Sequence, residues 1–457
     1  MSEERTCIIC GGKAGSREHI FPSALGGRRI SKKIYCETHN NELGKYVNPL
    51  IDVLGLFNST ISVKADRGNI PKPFCISSSD GTEYLMVGEK FSLAPPRISP
   101  EDFGKEIQLS FSSEEEFTSW VKSQKKQGLK IELVKKGKEK SKIFTESFHK
   151  KLEIGTDDFK LANLYLAITF LAYFYPEIAK QEGLNKAKQK LIESKVSDDF
   201  FNWVNPNKLP FLKDYNLQNK HLIAIGINSR EKKANAIICF FGNLCLSINI
   251  GRIESEISET KLAIIDPLAE HAGENYDFKE ITLIDKELIQ VSSDDSHTYL
   301  NQVIKGEVEN PIKNIILNAE NYNLDSFFQK SVEDFIEIKE NNSDILDDFI
   351  IGYVNNQKQR IFNLIKFLIN DYLETQINLP KEFTSILKEI LESSNLTESG
   401  LTELGEAAQK IGQEVVAHEI KFLLQNNNLN KETLKKLFNS GEGAGKIGEK
   451  LFNWILS

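Results

Sequence analysis

At 457 residues the chain is too long for one ordinary core, so two to three domains are expected. Its 40% hydrophobic and 27% charged content is that of a soluble globular protein and excludes disordered and fibrous readings. The net charge of −8 argues against a protein that coats nucleic acid generally. It is unevenly spread, however: residues 1–50 hold eight basic and five acidic residues, a local +3 that leaves −11 for the remainder.

Residues 1–60 read as a compact metal module ending in a helix, with Leu43, Val47, Leu50, Ile51 and Leu54 at helical spacing. The turn Asp66-Arg67-Gly68-Asn69, followed by Pro71 and Pro73, marks a boundary. Strand patterns run from there to about Lys150, broken by one helix over Glu114–Lys126. Helices resume at Asp157–Tyr175 and Gly183–Ser194. The apolar run Leu161–Tyr175 contains Asn163 and Thr169 and is too short for a bilayer, so it reads as a buried helix. Three strands follow at His221–Asn228, Ala234–Phe241 and Leu244–Ile250, the last two joined by a tight turn at Gly242-Asn243. Beyond about Asp285 the pattern is helical, with amphipathic stretches at Asp348–Thr375, Lys381–Ser393, Leu404–Gln425 and Lys431–Phe438; Gln425–Asn430 is a loop. The domain expectation is therefore 1–60, 61–285 and 286–457.

Three of the six cysteines, Cys7, Cys10 and Cys36, crowd into the N-terminus, while Cys75, Cys239 and Cys245 lie in strand-like surroundings and read as buried thiols. Met1–Thr6 is polar and no export signal opens the chain. A cytoplasmic location without membrane attachment is expected, and there the first cluster reads as metal binding. Cys7-x2-Cys10 and Cys36-x2-His39 are two half-sites of equal spacing, each a tight turn offering two ligands, which suits a closed tetrahedral structural Zn2+. Between them lie Glu18-His19-Ile20-Phe21-Pro22 and Gly26-Gly27; directly after them come Asn40 and Asn41. A divalent ion needs hard oxygen ligands, which the Glu18 carboxylate and the Asn40 amide offer. A water attacking phosphorus needs a base that titrates near neutrality, which His19 offers.

In this order the residues resemble the HNH endonuclease family, in its zinc-bearing branch with the pattern C-x2-C, E-H-x-x-P, G-G, C-x2-C-N. The resemblance implies an N-terminal zinc-stapled ββα-metal (treble-clef-like) HNH domain; with the mixed α/β middle domain and helical C-terminal region read from the patterns above, the expected fold class is α+β. It implies His19 as general base, Glu18 and Asn40 as ligands of a catalytic Mg2+ or Mn2+, and Cys7, Cys10, Cys36 and His39 as ligands of the structural zinc. Asn41 is the alternative to Asn40. Two departures stand out: His39 replaces the usual cysteine, and Ser31, Lys32 and Lys33 stand where the middle motif asparagine is expected.

DNA is the implied substrate, with RNA left open, and Arg17, Arg28, Arg29, Lys32 and Lys33 are candidate nucleic-acid contacts. By analogy with the family, a bacterial antiphage role, a homo-oligomer or an activating partner subunit such as a short Argonaute are further expectations. The alternative is a zinc module that binds nucleic acid without cutting it, and a third reading is a structural cap on an interaction protein.

Other signals are weaker. The basic stretch from Lys122 to Lys142 suits either phosphates or solvent. Gly443-x-Gly445-x-x-Gly448 matches a nucleotide-loop pattern without a preceding strand and reads as a helix-breaking turn. His149, His221, His271, His297 and His418 read as surface or satisfied core histidines.

Overall fold

The computed structural model describes residues 6–65, 71–88, 90–136, 148–196, 200–269, 278–284, 292–375, 381–392, 402–439 and 441–456. The expected turn at Asp66–Asn69, and Lys138, Lys140, Lys142 and His271, lie outside them. The chain divides into two compact units. The first comprises Met1–Ile76, Glu83–Ala94 and Lys150–Asn323, and the second Ser77–Thr82, Pro95–His149 and Leu324–Ser457. It is a mixed α/β protein with a helical C-terminal region.

The first unit opens with an antiparallel ribbon of β1 (Glu18–His19) and β2 (Ile30–Ser31), followed by α1 (Glu37–Leu43) and α2 (Val47–Thr60). A three-stranded sheet of β3 (Phe74–Ser77), β4 (Glu83–Val87) and β5 (Lys90–Leu93) comes next in the chain. In the second unit α3 (Glu114–Lys126) forms where the sequence places it. Ser113 caps it by accepting the Glu116 N–H, three glutamates occupy its first turn and two lysines its last.

The centre of the first unit is α4 (Asp157–Phe174), capped by Thr156, whose side chain accepts the Phe159 N–H. It is buried on nearly every side. Its polar residues are served internally: the Asn163 amide donates to the Phe159 carbonyl at 2.8 Å, and the Thr169 hydroxyl to the Tyr165 carbonyl at 2.8 Å. Among the described residues no helix is long and apolar enough to cross a membrane. After α5 (Pro176–Ala179) and α6 (Asn185–Glu193) comes a six-stranded antiparallel sheet, ordered β11-β10-β7-β8-β9-β6. Its strands are β6 (Phe201–Val204), β7 (His221–Asn228), β8 (Lys233–Phe240), β9 (Leu244–Arg252), β10 (Glu259–Ile265) and β11 (Phe278–Ile284).

Successive strand residues point to opposite faces, and here both faces are covered. Ile223, Ile225, Ala236 and Ile238 pack into the core shared with α4, while Leu222, Ala224, Ile237 and Cys239 pack under Leu209, Leu212 and Leu217. Continuous apolar strands result, rather than alternating ones. The turn between β8 and β9 holds Phe241 and Gly242 at positive φ, one residue earlier than the expected Gly242-Asn243 pair. Cys239 and Cys245 are register partners across it, with Cα atoms 4.1 Å apart, and are joined as a disulfide. They are therefore not the separate buried thiols expected; direct cross-strand opposition brings such side chains together. Cys75, expected as a buried thiol, is only half-buried in β3.

Helices α7 (Ser293–Ile304) and α8 (Pro311–Asn341) follow, the unit boundary falling within α8. The second unit continues with α9 (Leu346–Asn356), α10 (Lys358–Thr375), α11 (Lys381–Glu392), α12 (Glu403–Gln425), α13 (Lys431–Leu437) and α14 (Glu442–Leu456). The stretch expected as one amphipathic run at Asp348–Thr375 breaks at Gln357. Gly443 to Gly448, expected as a helix-breaking turn, lies inside α14. Burial of Ala444, Ile447 and Leu451 outweighs the helix cost of glycine, about 1 kcal/mol each. A Cβ on Gly443 would stand 2.0 Å from the Leu437 carbonyl oxygen, so this close approach needs the missing side chain.

Candidate metal centre

The Cys7–Cys10 segment is a tight turn, closed by the Gly11 N–H donating to the Cys7 carbonyl at 2.9 Å and the Cys7 N–H to the Gly12 carbonyl. Cys36 is the extended residue before α1, which places His39 one turn into the helix. The Ile8 N–H donates to the Ile34 carbonyl at 3.1 Å and joins the two half-sites. The four ligand atoms of Cys7, Cys10, Cys36 and His39 lie within 4.8 Å of one another, the single such group of three or more His, Cys, Asp or Glu among the described residues. Cys10 Sγ is 3.9 Å from Cys36 Sγ, and His39 Nδ1 is 3.7 Å from Cys7 Sγ and 3.1 Å from Cys36 Sγ. A tetrahedron with zinc–sulfur bonds of about 2.3 Å has edges of about 3.8 Å. The residues fit a zinc ion.

The thiols differ electrically. Burial works to raise the Cys7 thiol, but the N–H groups of Cys10, Cys36 and Ile9 outweigh it and hold it below the usual range. At Cys10 the Gly12 N–H favours the thiolate, while burial and the neighbouring Cys7 and Cys36 sulfurs push the group up. Three sulfurs this close cannot all carry charge without a cation between them.

Beside this cluster the ribbon presents Glu18 and His19, which point to opposite sides. Glu18 is 8% exposed and turned inward, where one carboxylate oxygen accepts the Tyr165 hydroxyl from α4. Burial raises its pKa to about 7, against the lowering effect of Tyr165. His19 lies half-buried on the other side. Asn40, in α1, donates its amide N–H to the carbonyl of Arg17 at 3.4 Å, alongside the start of the ribbon; its Oδ1 is buried with no hydrogen-bond partner among the described residues. Asn41 is exposed. At the position of the absent middle asparagine, the Ser31 hydroxyl accepts the Lys33 N–H at 3.2 Å and shapes the loop locally.

The Gly26-Gly27 loop fits tightly. A Cβ on Gly27 would stand 2.0 Å from the Phe21 carbonyl oxygen, and one on Gly26, at φ 92°, 2.5 Å from Pro267. Of the candidate nucleic-acid contacts, Arg17, Lys32 and Lys33 are exposed. Arg28 donates to the Ala269 carbonyl, and Arg29 donates to the Tyr173 hydroxyl at 3.1 Å, which in turn donates to Glu280 at 2.6 Å. His221, expected as a surface or satisfied core histidine, is fully buried against Phe21, Phe240 and Phe241, with neither ring nitrogen paired among the described residues, so it is a core histidine but not a satisfied one.

No family model, curated protein or solved structure matches the chain.

Proposed function

We propose that the chain is a metal-dependent endonuclease of the HNH type, hydrolysing phosphodiester bonds in DNA. The observation that carries this reading is Asn40, an amide whose nitrogen is tied to the Arg17 carbonyl beside Glu18 while its buried oxygen has no partner among the described residues. A buried acceptor left unpaired is costly unless something occupies it, and a hard divalent cation is what an amide oxygen and a carboxylate suit. Glu18 and Asn40 would hold Mg2+ or Mn2+, which when bound supplies charge neutralisation at the phosphate. His19 takes the proton from the attacking water. Cys7, Cys10, Cys36 and His39 would fix the start of α1, which carries Asn40, against the turn that precedes the ribbon.

The test is cleavage of supercoiled plasmid with Mg2+ or Mn2+ by wild type and His19→Ala. Loss of a general base is expected to slow cutting by about 10²- to 10⁴-fold with DNA affinity kept. Equal cutting by the two would remove His19 from the mechanism. Binding by both with cutting by neither would favour the second reading, a zinc module that only binds, which the missing middle asparagine supports.

Salt dependence gives a separate expectation. With Arg28 and Arg29 tied within the chain, Arg17, Lys32 and Lys33 remain for phosphates. A plot of log affinity against log salt should then slope at about −2.7, rather than the −4.5 or so of five contacts. A slope at the steeper value would mean that the two arginines leave their partners on binding.

A further inference from the structure

Among the described residues the Glu18 carboxylate has one hydrogen-bond partner, and it comes from far along the chain. Tyr165, 147 residues away on α4, donates its hydroxyl to Oε1. Tyr165 is itself held in place: it is 2% exposed and stacks against Tyr35 at 6.3 Å between ring centres, with Tyr46 packed at 6.1 Å. One turn on, Thr169 meets the Tyr35 hydroxyl at 2.9 Å and returns its own hydroxyl to the Tyr165 carbonyl, fixing the helix against the segment that leads into Cys36. The second oxygen of Glu18 has no hydrogen-bond partner among the described residues. One oxygen is thus clamped and the other left for a ligand. A carboxylate on a two-residue strand has little local structure to orient it, and a single fixed donor removes most of its rotational freedom.

We infer that Tyr165 is a positioning residue for the divalent cation site: by holding Oε1 of Glu18 it aims the other oxygen at the ion, so the site is completed by a helix outside the N-terminal motif. The inference rests on the proposed function, since it takes Glu18 as an ion ligand. Glu18 and Asn40 supply the ligands; α4 supplies the orientation of Glu18.

The experiment is Mn2+ binding, followed by electron paramagnetic resonance on the full-length zinc-loaded protein, for wild type, Tyr165→Phe and Glu18→Gln, with cleavage measured across Mn2+ concentrations. Removing an orienting partner of a metal ligand costs about 10- to 100-fold in affinity. Tyr165→Phe should therefore bind Mn2+ that much more weakly and regain most of its maximal cleavage rate at raised Mn2+, with zinc content unchanged. A purely structural hydroxyl would lower the folded fraction and leave the Mn2+ requirement of the rest where it was. In wild type, a readout that needs no variant to fold, Mn2+ should perturb the tyrosine difference spectrum, and Glu18→Gln should abolish the change. Tyr165→Phe binding within twofold of wild type, or no spectral change in wild type, would overturn the inference while leaving Glu18 as a ligand. Glu18→Gln binding as well as wild type would overturn the cation site itself.

Discussion

Stripping the metal from Cys7, Cys10, Cys36 and His39 is expected to unfold residues 6–46 while the six-stranded sheet stays folded. This segment owns very little regular structure: two strands of two residues, short turns and one seven-residue helix. Elements so small do not persist in water unaided. Binding of structural zinc is worth about 10–16 kcal/mol in small zinc-folded peptides, more than the stability of a typical domain. Here docking of Phe21, Tyr35 and Leu43 on the shared core offsets part of the loss, so local rather than global unfolding follows. Amide hydrogen exchange with and without a strong chelator, or in Cys36→Ala, reads this directly. Amides of 6–46 should exchange freely in the metal-free protein while those of β7, β8 and β9 remain protected. Unchanged protection with no zinc bound would show that the four residues are not a structural metal site.

The second large effect is a dependence of stability on pH set by His221. Burial alone lowers its pKa to about 3, against an ordinary value of 6.5. The unfolded chain takes up a proton near pH 6.5 and the folded chain does not until near pH 3. Between these values the unfolded state holds the extra proton, and the fold loses about 1.4 kcal/mol for each unit that the pH falls. Above pH 6.5 this contribution is fully present and constant. His221→Phe replaces two unpaired nitrogens with carbon among Phe21, Phe240 and Phe241, and should gain about 1–3 kcal/mol at pH 7, less the cost of a slightly larger ring. Its advantage should widen as the pH falls from 6.5 to 5. Urea unfolding of both proteins at pH 7.5, 6 and 5, followed on the transition that carries the sheet, measures the gap; a constant gap would show that His221 ionises in the folded state.

What could be read from the sequence was local. Cys7, Cys10, Cys36 and His39 are paired by short spacing, and a turn or a helix start brings each pair together without help from distant residues. The strands β7, β8 and β9 announce themselves by long apolar runs around a Gly-Asn turn, and α4 by its apolar run. What escaped depends on residues far apart. β6 has four residues, and β10 and β11 mix charged with apolar side chains, so each gains its identity from a neighbour in the sheet. The inclusion of Pro95–His149 with Leu324–Ser457 leaves no mark in local composition. The same holds for the clasp on Arg28 and Arg29 and for the burial of His221, because Ala269, Glu280 and Phe241 lie far from the residues they meet. Glu18 was legible as a carboxylate beside a histidine, but not as one gripped by Tyr165.

The core that runs unbroken from Ile8, Phe21 and Leu54 through Phe170 to Ile223 and Phe240 bears on how such a protein can be altered. A motif of some 60 residues looks like a cassette that could be lifted into another chain. Here its inner surface is the wall of a larger interior, and excision would bare an apolar face on both pieces, the kind of patch that drives aggregation. Exchange by recombination would have to carry α4 and the sheet along with the metal ligands, so the motif and its support travel as one heritable block.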